Sequence, residues 1–126
     1  MIVVTGGAFQ NKTKFASGLT GIDEHEFLDG GTCGAEALFQ ARAVRSFHLL
    51  VRRLLSGGTD IEAYCEQLFI RNPRIVIVTD EIGCGVVPSG REERRWREAA
   101  GRAVCILAEH SDAVYRVLCG IGRRIA

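Results

Sequence analysis

The stretch MIVVTGGAFQNKTKFAS, residues 1–17, decides the fold of this chain. Residues 1–5 form a short apolar run rich in β-branched side chains, which is typical of a buried strand. The residues after it resemble a phosphate-binding loop, whose usual pattern is Gly, four residues, Gly, Lys and then Ser or Thr. Gly6, Lys12 and Thr13 occupy the expected positions. The stretch therefore predicts a strand, a phosphate loop and a helix in that order.

One loop position departs from the pattern, because Asn11 occupies the place of the second glycine. Its side chain could crowd a phosphate, although Asn tolerates a positive φ better than most residues. A plain strand–turn–helix without a ligand is the alternative. If the loop functions, backbone N–H groups and a helix N-terminus attract the phosphates, Lys12 adds a cation and Thr13 ligates magnesium. The predicted nucleotide-binding residues are Gly6, Gly7, Ala8, Phe9, Gln10, Asn11, Lys12 and Thr13.

Composition narrows the class of protein. The 126 residues predict one domain, 1–126, and the hydrophobic content of 47% suffices for a core. A net charge of +1 gives no bulk attraction to nucleic acid. The apolar runs are far shorter than the roughly 20 residues that span a bilayer, so we expect no membrane span and a cytoplasmic location. The five cysteines include no C-x-x-C pair and are interpreted as buried, reduced thiols.

Strand and helix patterns alternate along the chain. Strands are predicted at 1–5, 25–29, 74–79, 113–119 and, as an edge strand, 123–126. Helices are predicted at 12–18, 34–55, about 60–71 and 91–109, with Ser89 as a candidate cap of the last. The run 74–79 is continuously apolar, as expected for a parallel strand covered on both faces. The alternation predicts an α/β fold with a mostly parallel sheet and helices on both faces.

Polar residues and glycines end four of the predicted strands, where ligands bind in such sheets. These clusters are Thr5-Gly6, Asp29-Gly30, Thr79-Asp80-Glu81 and Cys119-Gly120. Asp29, Asp80 and Glu81 are the candidate carboxylates on the magnesium side, each with an ordinary polar loop residue as the alternative. We predict Thr13 and Asp29 as metal ligands, and Lys12 and Glu81 as catalytic residues.

Two further residue groups lack a shared motif. Arginines at four positions of the predicted helix 34–55 could form an anion-binding face or, as we favour, an exposed helix surface. They are Arg42, Arg45, Arg52 and Arg53. The histidines His25, His48 and His110 are scattered.

Residues 78–88, VTDEIGCGVVP, resemble the V-T-N-E-V-G-x-G-I-V-P segment of the adenosylcobinamide kinase/adenosylcobinamide-phosphate guanylyltransferase family. Residues 4–8 followed by 11–13 are similar to that family's V-T-G-G-A-R-S-G-K-S. The likeness extends to Arg91 and to residues 96–98, 100–102, 112–114 and 120–121, and it covers roughly half of the chain. The segment around residues 78–88 is far more specific than a phosphate loop alone.

The resemblance implies a three-layer, RecA-like P-loop sheet of reduced size, ATP or GTP with Mg²⁺, a corrinoid substrate and a homotrimer. The family phosphorylates a hydroxyl of adenosylcobinamide and then transfers GMP from GTP through a guanylylated histidine. This chain is shorter than the family norm, and we expect the difference to lie between the first helix and residues 25–29.

Two other departures from the family pattern concern its second reaction, guanylyl transfer. None of the three histidines matches the motif around the guanylylated histidine, and the Asn-Gln pair of the family's G-R-x-N-Q is replaced in residues 101–105. We therefore predict a kinase-like protein of cobalamin biosynthesis. The alternative is a non-catalytic nucleotide-binding or assembly protein. A third hypothesis keeps guanylyl transfer, with His25 as the replacement nucleophile.

Overall fold

The computed structural model describes residues 1–82 and 90–126. In these ranges the strands are β1 Ile2–Gly6, β2 Phe27–Asp29, β3 Ala43–Arg45, β4 Val76–Asp80, β5 Ala113–Leu118 and β6 Ile121–Arg124. The helices are α1 Lys12–Thr20, α2 Phe47–Ser56, α3 Ile61–Arg71 and α4 Arg91–Glu109. Short 3₁₀ segments lie at Glu24–Glu26 and Ala35–Gln40.

The strands form one sheet with the order β2-β3-β4-β1-β5-β6. The first five strands are parallel, and β6 runs antiparallel to β5. On one face, α1 packs against a cluster that includes Val4 and Val78. On the other face, α2, α3 and α4 cover a larger cluster that includes Val3 and Ile77. The predicted α/β class, with a mostly parallel sheet and helices on both faces, is confirmed.

The centre of the sheet explains the continuous apolar run in the sequence. β4 and β1 are neighbours, and both faces of each are covered, so Val3, Val4 and Ile77 have no exposed surface. The register pairs Gly6 with Asp80 at the carboxyl ends of the two strands. A phosphate loop that begins after Gly6 therefore starts beside an acidic residue of β4.

The predicted helix 34–55 is wrong in its first half. A 3₁₀ segment and β3 occupy that half, and α2 begins only at Phe47. Val44 fits a helical spacing, but it is fully buried in β3, paired with Leu28 and Ile77. Ser46 then takes a left-handed conformation, φ 54° and ψ 42°, which a continuous helix does not allow. A short apolar run does not distinguish a buried strand from a helix.

The remaining elements agree with their predictions to within a few residues. α1 continues past Gly18 and ends at Gly21, whose φ of 77° is left-handed. Asp60 caps α3 by accepting a hydrogen bond from the Ala63 N–H at 3.2 Å. The proposed cap Ser89 and the glycine-rich run 83–88 lie outside the described residues. None of the helices in the described ranges combines the length and apolar character that a membrane crossing requires.

The edge strand β6 begins earlier than predicted and forms a hairpin with β5. Leu118 pairs with Ile121, so the turn consists of Cys119 and Gly120. Their φ values are 52° and 77°. Positive φ at both central residues is the mark of a type I′ turn, which matches the twist of a hairpin.

Gly122 of β6 has no room for a side chain. A Cβ at this position would lie 2.0 Å from Cζ of Phe15, so the α1 ring occupies the space that a side chain needs. The same ring packs against Tyr115 with centroids 5.6 Å apart. We expect Gly122→Ala to lower the free energy of unfolding by about 1–3 kcal/mol, measured by urea denaturation.

The matched control is Gly18→Ala on the same helix as Phe15, where a Cβ meets nothing within 4 Å. This variant should be stabilised by up to about 1 kcal/mol, because Ala has the higher helix propensity. Equal stability of Gly122→Ala and the wild type would show that Phe15 does not pack on β6 as described.

Candidate functional site

The candidate site is the loop 7–11 together with the strand ends around it. Gly6 lies between Asp80 and Val117 in the register of the sheet. A Cβ on Gly6 would lie 2.5 Å from the Val117 carbonyl oxygen. Glycine is therefore required where the chain leaves β1, because only glycine allows β5 to approach this closely.

Two non-glycine residues of the loop are left-handed. Asn11 has φ 59° and ψ 38°, and its carbonyl oxygen accepts the Phe15 N–H at 3.0 Å, inside the first turn of α1. Phe9 has φ 60°, and its side chain is fully exposed. Asn11 thus adopts a positive φ, whereas the sequence indicated only that Asn tolerates one. Asn is among the residues that accept this conformation at least cost.

The β5–β6 hairpin holds the loop from one side. The Gly120 N–H donates to the Gln10 carbonyl oxygen at 3.1 Å, and the Cys119 N–H donates to Gln10 Oε1 at 2.5 Å. The left-handed turn aims both N–H groups at the same residue. The loop conformation therefore depends on a contact between residues more than a hundred positions apart.

Lys12 lies at the centre of the site, and its side chain is 8% exposed. Its Nζ donates to the Gly7 carbonyl oxygen at 2.7 Å and lies 2.6 Å from Asp80 Oδ1. Asp80 is on β4, beside the strand from which the loop emerges. The buried ammonium is therefore compensated by a carboxylate and a backbone carbonyl, as a buried charge requires.

His48, at the start of α2, contacts the same carboxylate. Its Nδ1 accepts the Asp80 backbone N–H at 3.1 Å, and its Nε2 lies 3.4 Å from Asp80 Oδ2. Burial lowers the pKa of the His48 imidazole; the Asp80 carboxylate opposes this shift, and the Lys12 ammonium adds to it. The neutral imidazole is thus the form that the folded protein favours.

Glu81, the predicted catalytic carboxylate, has different contacts. Its Oε1 and Oε2 accept hydrogen bonds from Arg116 Nε and a terminal guanidinium nitrogen at 3.0 and 3.1 Å. Its backbone N–H donates to the Gly6 carbonyl oxygen at 2.8 Å. Glu81 therefore fixes the exit of β4 against β1 and β5, and its catalytic role stays a prediction.

Asp29, the predicted metal ligand, ends β2. Two strands, β3 and β4, separate β2 from β1 in the sheet, so the structure does not bring Asp29 together with Lys12. Its Oδ1 accepts the Gly31 N–H at 2.8 Å, and its Oδ2 lies 3.5 Å from a guanidinium nitrogen of Arg45. Metal binding by Asp29 stays a prediction.

A cleft opens beside the loop. Its lining joins most of the predicted nucleotide-binding residues to β4 and to two other segments: Phe9, Gln10, Asn11, Lys12, Thr13, Lys14, Glu24, Ser46, Val78 and Asp80. In the described part of the chain, no group of three or more His, Cys, Asp or Glu side chains could hold a metal ion. Thr13 and Asp80, which carry the oxygen atoms that Mg²⁺ prefers as ligands, both line this cleft.

The other sequence candidates lie outside this contact network. His25 is almost fully exposed, and its Nδ1 lies 2.6 Å from Asp23 Oδ1, a hydrogen bond that raises the pKa of the imidazole. The four arginines each contact protein groups: Arg42 pairs with Glu26, Arg45 with Asp29, Arg52 with Glu93, and Arg53 donates to the Gly30 and Cys33 carbonyl oxygens. Because each arginine has its own protein partner, the four arginines do not form a shared anion-binding face.

Sequence reasoning included Asp80 among the candidate carboxylates but missed His48. No local pattern relates a histidine at the start of α2 to a carboxylate 32 positions later. The contact exists because α2 packs over β4.

Comparison with known proteins gives a consistent result. The family model described as cobinamide kinase / cobinamide phosphate guanyltransferase matches residues 35–125, more than two thirds of the chain. The loop 7–11 precedes the matched segment, so its interpretation rests on its own residues and geometry.

Two curated proteins are similar over part of their length. The bifunctional adenosylcobalamin biosynthesis protein CobU of Salmonella typhimurium (strain LT2) is 44% identical over 52 residues, which are 41% of this chain and 29% of that protein. The protein of the same name from Escherichia coli (strain K12) is 42% identical over 52 residues, with the same coverage. The matched segment thus spans less than a third of the length of either relative.

The lowered pKa of His48 predicts a pH dependence of stability. The folded state releases the proton more readily than the unfolded chain, whose histidine has the ordinary pKa of 6.5. Below that value the unfolded state binds the extra proton first, so the stabilisation is complete above pH 6.5 and is lost as the pH falls toward the folded pKa. We expect the wild type to lose more free energy of unfolding than His48→Asn between about pH 7 and pH 5, by at most about 1.4 kcal/mol per pH unit.

His48→Asn keeps an acceptor for the Asp80 N–H but does not titrate. His25 is present in both proteins, so its opposite contribution cancels in the difference. Parallel pH profiles of the two proteins in urea titrations would contradict the assigned environment of His48.

The left-handed conformation of Asn11 predicts a ranking of substitutions. Asn11→Gly should leave the free energy of unfolding within about 1 kcal/mol of the wild type, whereas Asn11→Val should lower it by about 1–2 kcal/mol, because a β-branched residue resists positive φ. Both variants can be compared by urea denaturation. If the valine variant is as stable as the glycine variant, Asn11 is not left-handed in solution.

Proposed function

The chain belongs to the cobinamide kinase / cobinamide phosphate guanyltransferase family, and from that premise we propose that it is a nucleotide-dependent phosphotransferase of cobalamin biosynthesis. Its substrates would be ATP or GTP, carried by Mg²⁺, and the hydroxyl group of a corrinoid. The reaction forms a bond between that hydroxyl oxygen and the γ-phosphorus and breaks the bond to the β-phosphate oxygen. The proton of the hydroxyl leaves with a base or with solvent.

The observation that carries the proposal is the contact between Lys12 and Asp80 inside the cleft beside the loop. Phosphoryl transfer requires positioning and electrostatic stabilisation more than covalent chemistry. A cation on the loop and a carboxylate on the adjacent strand are the two charged groups that a phosphate–magnesium pair needs. Both are present, and both line one cleft.

Lys12 can donate a hydrogen bond to a phosphate while it keeps its contacts with Gly7 and Asp80. An ammonium group has three N–H donors. The described contacts use two of them, one to Gly7 and one to Asp80. A third N–H can point to a phosphate oxygen at the N-terminus of α1, where the helix dipole also favours negative charge.

The carboxylate of Asp80 and the hydroxyl of Thr13 are assigned to the magnesium ion. When bound, the ion would neutralise charge on the transferring phosphate. Asp80 is preferred to Asp29 because it lies beside Lys12. It is preferred to Glu81 because the Glu81 carboxylate already accepts two hydrogen bonds from Arg116.

Guanylyl transfer has less support. A histidine that attacks a phosphorus atom needs an unprotonated nitrogen at the nucleotide site. His25 is exposed, pairs with Asp23 and does not line the cleft beside the loop, and both ring nitrogens of His48 contact Asp80.

The alternative is that the chain is a non-catalytic protein that binds nucleotide or serves in an assembly, for example as a homotrimer. It is supported by the loop itself, where the exposed Phe9 and the left-handed Asn11 replace residues of the family's loop. Binding of nucleotide without turnover would favour it.

The test is turnover of labelled ATP and GTP with adenosylcobinamide in the presence and absence of Mg²⁺. We expect phosphorylated corrinoid, and a loss of at least about 100-fold in kcat for Lys12→Ala, because one preorganised charge at the reacting phosphate contributes this much or more.

Arg74→Ala is the control, since Arg74 is an exposed cation just before β4, at the end of the sheet opposite the loop. It should retain near wild-type turnover. The kinase proposal fails if the wild type transfers no phosphate, or if Lys12→Ala is as active as Arg74→Ala.

A further inference from the structure

His48 contacts Asp80 through both of its ring nitrogens. A backbone N–H can only donate, so Nδ1, which lies 3.1 Å from the Asp80 nitrogen, carries no proton. The proton of the neutral ring is therefore on Nε2, which faces Asp80 Oδ2 at 3.4 Å. The histidine thus accepts a hydrogen bond from the backbone of Asp80, and its Nε2 lies beside the carboxylate at ion-pair distance.

The ring cannot easily turn away from this position. His48 is 7% exposed, between the core residues Phe47 and Leu50 of α2. Trp96 of α4 donates from its Nε1–H to the His48 carbonyl oxygen at 2.8 Å, and the two rings are stacked with centroids 6.3 Å apart. Helices α2 and α4 therefore fix the imidazole before any ligand arrives.

These contacts determine the orientation of the Asp80 carboxylate. Oδ2 of Asp80 faces His48 and Oδ1 contacts the Lys12 ammonium at 2.6 Å, so each oxygen has one partner. Asp80 is partly exposed, so its side chain would have room to rotate toward solvent without the histidine. In the family segment that residues 78–81 resemble, V-T-N-E, an Asn stands where this chain has Asp80, so the negative charge beside Lys12 is a departure of this chain from that segment.

We infer that His48 is a positioning residue that holds the Asp80 carboxylate against Lys12, so that Oδ1 is ready for magnesium when a nucleotide binds. The inference rests on the proposed function for its role in turnover. The positioning itself is a property of the unliganded protein. His48 touches neither nucleotide nor metal in this assignment and acts through Asp80.

Two variants separate the functions of the two ring nitrogens. His48→Asn places an amide oxygen near the position of Nδ1, so it keeps the acceptor for the Asp80 N–H and loses the donor to the carboxylate. His48→Gln places an amide N–H₂ near the position of Nε2 and keeps that donor. His110→Asn is the control, because His110 stacks on Phe69 at the far end of α4.

The first measurement needs no nucleotide. Two-bond ¹H–¹⁵N spectra of the wild type should show His48 protonated on Nε2. The ¹⁵N signal of the buried Lys12 ammonium should persist in His48→Gln and in the control, and it should shift or disappear through fast exchange in His48→Asn. An Nδ1-protonated ring, or an unchanged Lys12 signal in His48→Asn, overturns the inference.

The second measurement is turnover with Mg²⁺ and ATP or GTP. A positioning residue behind a metal ligand typically contributes about 10–100-fold, so His48→Asn should lose about that factor in kcat with little change in KM, and His48→Gln should recover most of it. Equal losses in both variants would indicate a purely structural role and overturn the inference. Absence of turnover in the wild type, with the first measurement as expected, would reject the proposed kinase and leave the positioning of Asp80 established.

Discussion

The ion pair between Lys12 and Asp80 is the constraint on which the rest of the structure depends. An ammonium that is 8% exposed is costly to bury unless its charge is compensated, and the carboxylate 2.6 Å away compensates it. That partner is available only because β1 and β4 are adjacent and end in register, with Gly6 opposite Asp80. Gly6 in turn must lack a side chain, because the Val117 carbonyl occupies that space from β5. The order of the three central strands, the first residue of the loop and the charge at its centre are therefore parts of one arrangement.

Much of this arrangement could be predicted from local pattern. The apolar runs before Gly6 and Asp80 carry the signature of buried parallel strands, and the carboxyl ends of parallel strands meet at one edge of a sheet. Asn11 replaces a glycine of the motif and is a residue that tolerates a positive φ, and it adopts one. A cap of α3 at Thr59 or Asp60 and the amphipathic helix α4 were likewise predictable, because caps and helical periodicity are encoded within a few residues.

What the sequence could not supply depends on which elements pack together. β3 has three residues, and its apolar Val44 fits a helical spacing as well as a strand. Only the pairing of β3 with β2 on one side and with β4 on the other makes this segment a strand. Asp29 and Asp80 both end strands, and Asp29 was the predicted metal ligand, but the strand order places Asp80 next to β1 and separates Asp29 from β1 by two strands. His48 reaches Asp80 through the packing of α2 on β4, and Gln10 reaches the β5–β6 turn across most of the chain. Such contacts carry no local signature.

The same ion pair makes phosphate and magnesium binding interdependent in the proposed site. A triphosphate that approaches Lys12 also approaches Asp80, and two negative groups near one ammonium repel each other in a partly buried cleft. A bound magnesium ion would offset this repulsion, because Asp80 could hold it beside the phosphates. Lys12 would keep its contacts with Gly7 and Asp80 and use its third N–H for a phosphate oxygen. His48 fits this arrangement because its Nε2 lies beside Oδ2, the oxygen that does not contact Lys12. An Asn in place of Asp80 would not create this repulsion, since it adds no negative charge beside the lysine. The acidic residue and the histidine behind it are therefore best understood as one unit.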